Sequence, residues 1–360
     1  MPSEREIISS LRRRARRGSG LVLGIGDDGA VIRPEVGKDL LLCSDLLVEG
    51  IHFKRDWGEP GLLGRKALAV NLSDIAAMGG VPKYALVSVA LPPGSSSEFV
   101  QRLFEGLFEL GDESGVVVVG GDTSLSPGPL FIDVCVLGEC SAGRAVTRGG
   151  AQPGDDIFVS GSLGGSALGL LLLDVESRTQ SAESDKGTLR QLARSSVAEK
   201  VENEYARLGS GLSGEALRKH LIPEPRLKLG ASLGENGIAT AMIDISDGLS
   251  TDLGHILDES RCGAIIRAES VPIAACVRDS SLIAERGIQP LALALHGGEE
   301  YELLFTAKPT DRSRVAECSQ AAGLSVTRIG EIVAGEGCLL EHNGRTEPLI
   351  PQGFEHVISG

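Results

Sequence analysis

The chain has 360 residues, 48 of them glycine and only 3% aromatic, with a formal net charge of −14. This is long enough for two domains with Val, Leu, Ile and Ala cores, and too acidic to favour a nucleic-acid surface. No run approaches the ~18 apolar residues of a membrane span, the N-terminus lacks a secretory apolar segment, and seven scattered cysteines form no C-x-x-C pair, so membrane, zinc and disulfide classes are set aside for a reducing, cytoplasmic setting.

In chain order, residues 1–20 read as a helix ending at Gly18-Ser19-Gly20, with Arg12–Arg17 as a solvated basic face. Gly24-Ile-Gly26-Asp-Asp-Gly29 matches G-x-G-x-x-G, and Glu49 follows twenty residues beyond. A dinucleotide fingerprint is nevertheless a poor reading. Asp27 and Asp28 would oppose a pyrophosphate, and Arg33-Pro34 interrupts any following helix. Strands are predicted over 40–43, 84–91, 115–119 and 130–138. Helices are predicted over about 61–78 and 96–113, the second amphipathic through Phe99, Leu103, Phe104, Leu107, Phe108 and Leu110.

Thr147–Gly154, dense in Gly and Pro, predicts a linker between a domain over 1–146 and a second over 147–360. The second domain opens with a strand, Asp156–Ser160, and a helix from Ser162 to Leu173. The loop Gly161-Ser-Leu-Gly-Gly-Ser166 between them lacks a Gly-Lys-Ser/Thr sequence. Tight helix–strand packing therefore explains it better than an anion site. Residues 174–214 turn polar and Ser-rich and read as an inserted, partly helical excursion. Strands and helices return through 239–346, with turns at Gly297-Gly298 and Asn343-Gly344, and no repeat is evident.

Four times an apolar run leads to a hydroxyl residue beside an aspartate: Ser44-Asp45, Ser73-Asp74, Asp122-Thr123 and Ser246-Asp247. A single such pair is an ordinary cap or turn. Four of them, with Asp28 and Asp244 near by, predict oxygen-rich groups at the rim of a core. Two bare carboxylates about 4 Å apart repel by roughly 4 kcal/mol at an effective dielectric near 20, so a converging cluster calls for cations or raised pKa values. Oxygen ligands completed by substrate phosphates suit Mg²⁺. An Mg-nucleotide enzyme is the expectation.

Several segments together resemble the thiamine-monophosphate kinase family, in the superfamily of aminoimidazole ribonucleotide and selenophosphate synthetases. They are Gly24–Val31, Ser44–Phe53, Lys66–Gly79, Gly120–Thr123, Gly143–Arg148, Ile243–Leu249, Asp252–His255 and His296–Leu303. The resemblance implies an α+β, two-domain fold whose N-terminal mixed sheet, with helices, pairs into a barrel across a homodimer. The C-terminal domain is then α/β. It implies ATP-dependent phosphorylation of thiamine monophosphate to thiamine diphosphate with several Mg²⁺ ions.

By position it implies Mg²⁺ ligands at Asp28, Ser44, Asp45, Asp74, Asp122, Asp244 and Asp247. ATP contacts are implied at Gly121, Asp122, Arg148 and Ser246, and acceptor contacts at His52, Glu299 and Phe354. No general base is implied, because a phosphate monoester is already a nucleophile. His255 reads as structural, Cys43 stands where the family often has a hydroxyl residue, and the 174–214 excursion is longer than usual. The alternatives are another ATP-using member of the superfamily or a non-catalytic Mg-nucleotide sensor. Against a selenophosphate synthetase, residues 1–30 hold no cysteine.

Overall fold

The computed structural model describes residues 11–14, 18–25, 28–182 and 211–354. Residues 11–14 are helical, and the remaining residues of the expected first helix up to 17 lie outside the described set. Two short strands, β1 (Leu21–Leu23) and β2 (Val31–Ile32), then pair antiparallel. The glycine-rich stretch therefore joins two strands and does not open a helix, which removes the dinucleotide reading.

The N-terminal unit continues with β3 (Lys38–Val48), α1 (Pro60–Ala77), β4 (Val81–Leu91), α2 (Ser97–Ser114), β5 (Val117–Leu125) and β6 (Phe131–Ser141). Its sheet runs β3-β6-β4-β5, with β4 and β5 parallel and the other pairs antiparallel. Proline at the first turn of α1 loses no helical hydrogen bond there. α2 is capped by Ser96, whose hydroxyl accepts from the Phe99 N–H, and ends at the left-handed Gly115. The two helices touch at backbone distance. A Cβ on Gly64 would lie 1.8 Å from the Leu103 carbonyl oxygen, and one on Gly106 would lie 1.9 Å from that of Gly61. α1 is consequently buried on nearly every side.

The second unit contains β7 (Asp156–Ser160), α3 (Gly165–Ala182), α4 (Leu212–Leu221), α5 (Leu227–Glu235), β8 (Ala239–Asp244), α6 (Leu249–Ser260) and β9 (Gly263–Arg267). It is completed by α7 (Pro290–His296), β10 (Leu303–Ala307), α8 (Arg312–Ala322), β11 (Val326–Val333), β12 (Gly337–His342) and β13 (Arg345–Pro348). The sheet order is β13-β12-β9-β11-β7-β10-β8, and only β12–β9 is parallel. β7 and β10 are wholly buried: their centres are apolar, and the buried Asp156 and Ser160 at the ends of β7 are paired with Arg312 and with Glu302. Asn343 and Gly344, both with positive φ, close the β12–β13 hairpin in two residues.

Two neighbouring residues of the connecting segment bond to different units. The Val146 N–H donates to the Met78 carbonyl at 3.0 Å, and the Thr147 carbonyl accepts from the Met242 N–H at 3.1 Å. The units also share a core: Ala76, Ala77 and Val146 pack with Leu229, Leu233 and Phe305. A Cβ on Gly230 of α5 would sit 2.1 Å from the Ala76 carbonyl of α1, so only glycine permits this approach.

Three of the four hydroxyl–aspartate pairs lie inside elements, not past their ends. β3 runs on through Ser44-Asp45, α1 through Ser73-Asp74, and β5 through Asp122-Thr123; only Ser246-Asp247 follows its strand. In strands the cause is period-two alternation, which sends one member of a polar pair outward and the other inward. α3 extends to Ala182 and α4 begins at Leu212, so both ends of the expected excursion are helical; 183–210 lie outside the described residues. Among the described residues no helix is long and apolar enough to cross a membrane.

Candidate functional site

α1 lies between the N-terminal sheet and the second unit, and the acidic residues gather around it. Along β3, Leu41, Cys43, Asp45 and Leu47 alternate with more exposed neighbours, which turns Asp45 towards α1. The carboxyl groups of Asp45 and Asp74 lie against each other. Ser73, on the next position of α1, donates from Oγ to Asp244 Oδ2 at 2.6 Å and so joins the two units. Asp247 follows on the loop after β8, close enough for its charge to raise Asp45.

The electrostatics of this group are strained. Burial, then the charges of Asp244 and Asp45, push Asp74 up to about 8, against the opposing pull of Arg148. Burial raises Asp244 to about 6 despite the Ser73 hydrogen bond. Burial and the charges of Asp133 and Asp247 raise Asp45, while its contact with Asp74 pulls the other way. Carboxyls that resist joint ionisation, on rigid supports and with oxygen donors only, match the donor chemistry of a hard dication. Asp74, Asp244, Arg148, Cys43 and Glu259 line a cavity of about 430 Å³. The Cys43 thiol donates to the Asn71 carbonyl at 3.3 Å, and burial pushes its pKa up, so it presents no thiolate.

The other residues expected as metal or nucleotide contacts lie elsewhere. Ser44 points to the opposite face of the sheet, where its Oγ donates to Asp133 Oδ1 at 2.8 Å. Asp28, Gly121 and Asp122 line a separate cavity of about 990 Å³ beside Leu42, Leu86 and Cys135. Gly121 has φ +146, and a Cβ there would meet the Val87 carbonyl at 1.8 Å. The Asp122 carboxylate accepts from the Thr123 N–H at 2.8 Å. Within one chain the set of seven is thus divided between two places: Asp45, Asp74, Asp244 and Asp247 together, and Asp28, Ser44 and Asp122 outside that group.

Ser246 and Asp247 also hold the residues expected on the acceptor side. Glu299, at φ 59°, donates its N–H to the Ser246 carbonyl at 2.7 Å, and Phe354, half exposed, donates its N–H to the Asp247 carbonyl at 3.2 Å. Side chains fit this junction only if small. A Cβ on Gly298 would meet the Ser246 carbonyl at 2.7 Å, and one on Gly353 would meet that of Asp247 at 2.0 Å. Glu299 Oε2 receives Lys66 Nζ at 3.1 Å and faces His220 Nδ1 at 3.2 Å. Burial works against the Glu299 charge, but Lys66 and His220 outweigh it and hold the carboxyl below its usual range. His52 accepts from the Val48 N–H at 3.0 Å through Nδ1, and its ring lies near enough to Glu299 to act on it electrostatically.

Sequence reasoning missed four participants. Asp252 Oδ2 accepts from the N–H groups of Asp247 (3.1 Å) and Gly248 (3.0 Å) and so shapes that loop; burial, Asp244 and Asp247 raise it to about 8. The S/T-x-x-D/E capping pattern is offset here, which hid it. Asp133 is one acidic residue in a strand, while Lys66 follows Arg65 and His220 follows Arg218-Lys219, so each looks like part of an ordinary solvated face. His255, expected to be structural, brings a ring nitrogen within 4.8 Å of carboxylate oxygens of Asp247 and Asp252. The glycine loop before α3 already holds a carboxyl group from the chain itself. The Ser166 N–H donates to Glu300 Oε1 at 3.0 Å, and Lys219 donates to the Ser162 carbonyl at 2.9 Å.

Comparison with known proteins gives a consistent set of likenesses. Residues 26–140 match the family described as AIR synthase related protein, N-terminal domain, and residues 152–342 match its C-terminal domain. The chain is 33% identical to the thiamine-monophosphate kinase of Rhodopirellula baltica, over 98% of this chain and 97% of the relative. Its fold is similar to the crystal structure of the thiamine-monophosphate kinase from Stenotrophomonas maltophilia K279a, with TM-score 0.76, 33% identity, and coverage of 94% and 96% of the two chains. It is also similar to AaThiL complexed with AMPPCP and TMP, with TM-score 0.72, 32% identity, and coverage of 92% and 91%.

Proposed function

The chain belongs to the AIR synthase related family and, within it, to the thiamine-monophosphate kinases, and from this premise we propose that its acidic cleft serves ATP-dependent phosphorylation of thiamine monophosphate to thiamine diphosphate. The observation that carries the reading is the convergence of Asp45, Asp74, Asp244 and Asp247 from β3, α1, β8 and the following loop, with Arg148 beside them.

The chemistry follows from the acceptor. A phosphate monoester has a second pKa of about 6 and is largely dianionic at pH 7, so it needs no base to become a nucleophile. One of its oxygens bonds to the γ-phosphorus of ATP, the bond from that phosphorus to the β,γ-bridging oxygen breaks, and ADP leaves. The obstacle is repulsion between two polyanions. Bound Mg²⁺ supplies charge neutralisation and alignment there. Asp45, Asp74, Asp244 and Asp247 would hold it from one chain, and Asp28, Ser44 and Asp122 would serve the nucleotide side with Gly121. Arg148 and Ser246 would face the nucleotide where the two units meet, with His52, Glu299 and Phe354 on the acceptor side.

Residues 1–146 would then form the nucleotide and dimerisation unit, and 147–360 the second unit. The outer face of the N-terminal sheet exposes Leu40, Leu42, Leu46, Leu86 and Leu125. A contiguous apolar sheet face of this kind calls for a cover. The homodimer, sheet against sheet, would provide it and would enclose the Asp28–Asp122 cavity. Seven free cysteines support a cytoplasmic setting. The test is ADP release with Mg-ATP in the presence and absence of thiamine monophosphate. Release that depends on the acceptor, with thiamine diphosphate as product, is expected; release indifferent to the acceptor would reject the reading.

A further inference from the structure

His220 lies outside every segment that carries the family resemblance, yet its ring is almost completely buried on α4, 1% exposed. Its Nδ1 stands 3.2 Å from Glu299 Oε2 and 3.1 Å from Ser166 Oγ. Burial, reinforced by the Lys66 charge, lowers its pKa to about 3, so the ring is neutral. Glu299 is ionised, held below its usual range chiefly by Lys66 against the effect of burial. A neutral ring beside an ionised carboxylate keeps its proton on the facing nitrogen, which directs Nδ1–H between Glu299 Oε2 and Ser166 Oγ. The edge of the indole of Trp57, with ring centroids 5.6 Å apart, fixes the other side of the ring.

Glu299 needs such support. Its backbone is left-handed, a conformation that is strained for a non-glycine residue. Lys66 arrives from the N-terminal unit and His220 from the second, and both reach the same oxygen. With Oε2 taken twice, Oε1 is the atom left to meet a ligand. The pairing also neutralises the carboxylate locally, so it would greet an acceptor as an oriented hydrogen-bond acceptor more than as a free counter-charge.

We infer that His220 is a positioning residue, which with Lys66 locks the rotamer of Glu299 and thereby sets the affinity of the acceptor site without touching the acceptor. This rests on the reading of Glu299 as an acceptor contact.

The test uses the full-length protein and three variants. His220→Asn places an amide N–H near the position of Nδ1, His220→Gln places it near Nε2, and His220→Leu removes it. Loss of a hydrogen bond to a charged group predicts KM for thiamine monophosphate raised about tenfold or more in the Leu and Gln variants. The Asn variant is expected to stay within about threefold of wild type, and KM for ATP within about twofold in all three. If the Leu variant does not fold, the Asn–Gln contrast decides. Equal acceptor KM in Asn and Gln variants, or a parallel rise in both substrates' KM, would overturn the inference. Glu299→Gln is run alongside. If it leaves acceptor KM unchanged, the reading of Glu299 itself has failed; if it raises acceptor KM while the Asn and Gln variants match each other, the role of His220 alone has failed.

Discussion

Glu299→Gln, conservative in shape, is predicted to destabilise the fold through a residue 233 positions away in sequence. Lys66 is 2% exposed and delivers its ammonium to Glu299 Oε2 at 3.1 Å. At that separation, the Coulomb attraction is about 5 kcal/mol with an effective dielectric near 20. Desolvation of both ions offsets much of this, so the intact pair adds little net stability. Removing one partner is different, because the other remains buried and uncompensated. Such losses run to about 3–5 kcal/mol, and the partial exposure of Glu299 together with the nearby His220 places this one at about 2–4 kcal/mol. Lys66→Met should cost a similar amount. The double variant Lys66→Met/Glu299→Gln should cost clearly less than the sum, with a coupling of about 2 kcal/mol. Urea unfolding of the four proteins of the cycle, with m-values compared, measures it. Additivity within about 0.5 kcal/mol would refute the view that the two charges depend on each other.

The carboxyl cluster predicts a pH dependence in metal-free protein. Asp74 moves from 3.8 to about 8 on folding, so the folded state binds its proton more tightly than the unfolded chain. The stabilisation this gives is complete below the unfolded value and disappears as pH rises through the folded one. Chelator-treated protein should therefore lose melting temperature between pH 5 and pH 8 relative to Asp74→Asn, and a difference that does not change with pH would contradict the burial argument. Added Mg²⁺ should restore the wild type more at pH 8 than at pH 5, by thermal melting. Unphosphorylated thiamine should be a poor acceptor, at least about a hundredfold below the monophosphate in kcat/KM, since its neutral hydroxyl wants a base of the kind worth that factor. Comparable rates would reveal a hidden base. Leu42→Asp, on the exposed sheet face, should yield monomers by sedimentation without unfolding the chain; an unchanged assembly would place any interface elsewhere.

Much of this molecule is legible in its sequence, and the gaps have physical causes. The strand Asp156–Ser160 is read at its observed bounds because the apolar run Ile157–Val159 stands between flanking polar residues. β3 is read too short because Ser44 and Asp45 look like a terminus, whereas they are the outward and inward members of a continuing strand. The same alternation separates Ser44 from the acidic cluster that its neighbour joins. Tertiary partners are the other loss. That Glu300 fills the glycine loop, or that Lys66 and His220 meet on Glu299, depends on which elements the two sheets bring together. No local pattern encodes it.

Asp74, the partly buried carboxyl on α1 that faces both Asp45 and Asp244, is the most direct point at which to test the proposed phosphoryl transfer. Steady-state ADP release with saturating Mg-ATP and thiamine monophosphate, measured for wild type and a folded Asp74→Ala variant, is the decisive comparison. The variant is expected to retain its melting temperature or gain a little and to keep less than about a tenth of kcat, a loss of at least ~1.4 kcal/mol in transition-state stabilisation. A variant that turns over at more than that fraction would show that the phosphoryl transfer does not run through this cluster.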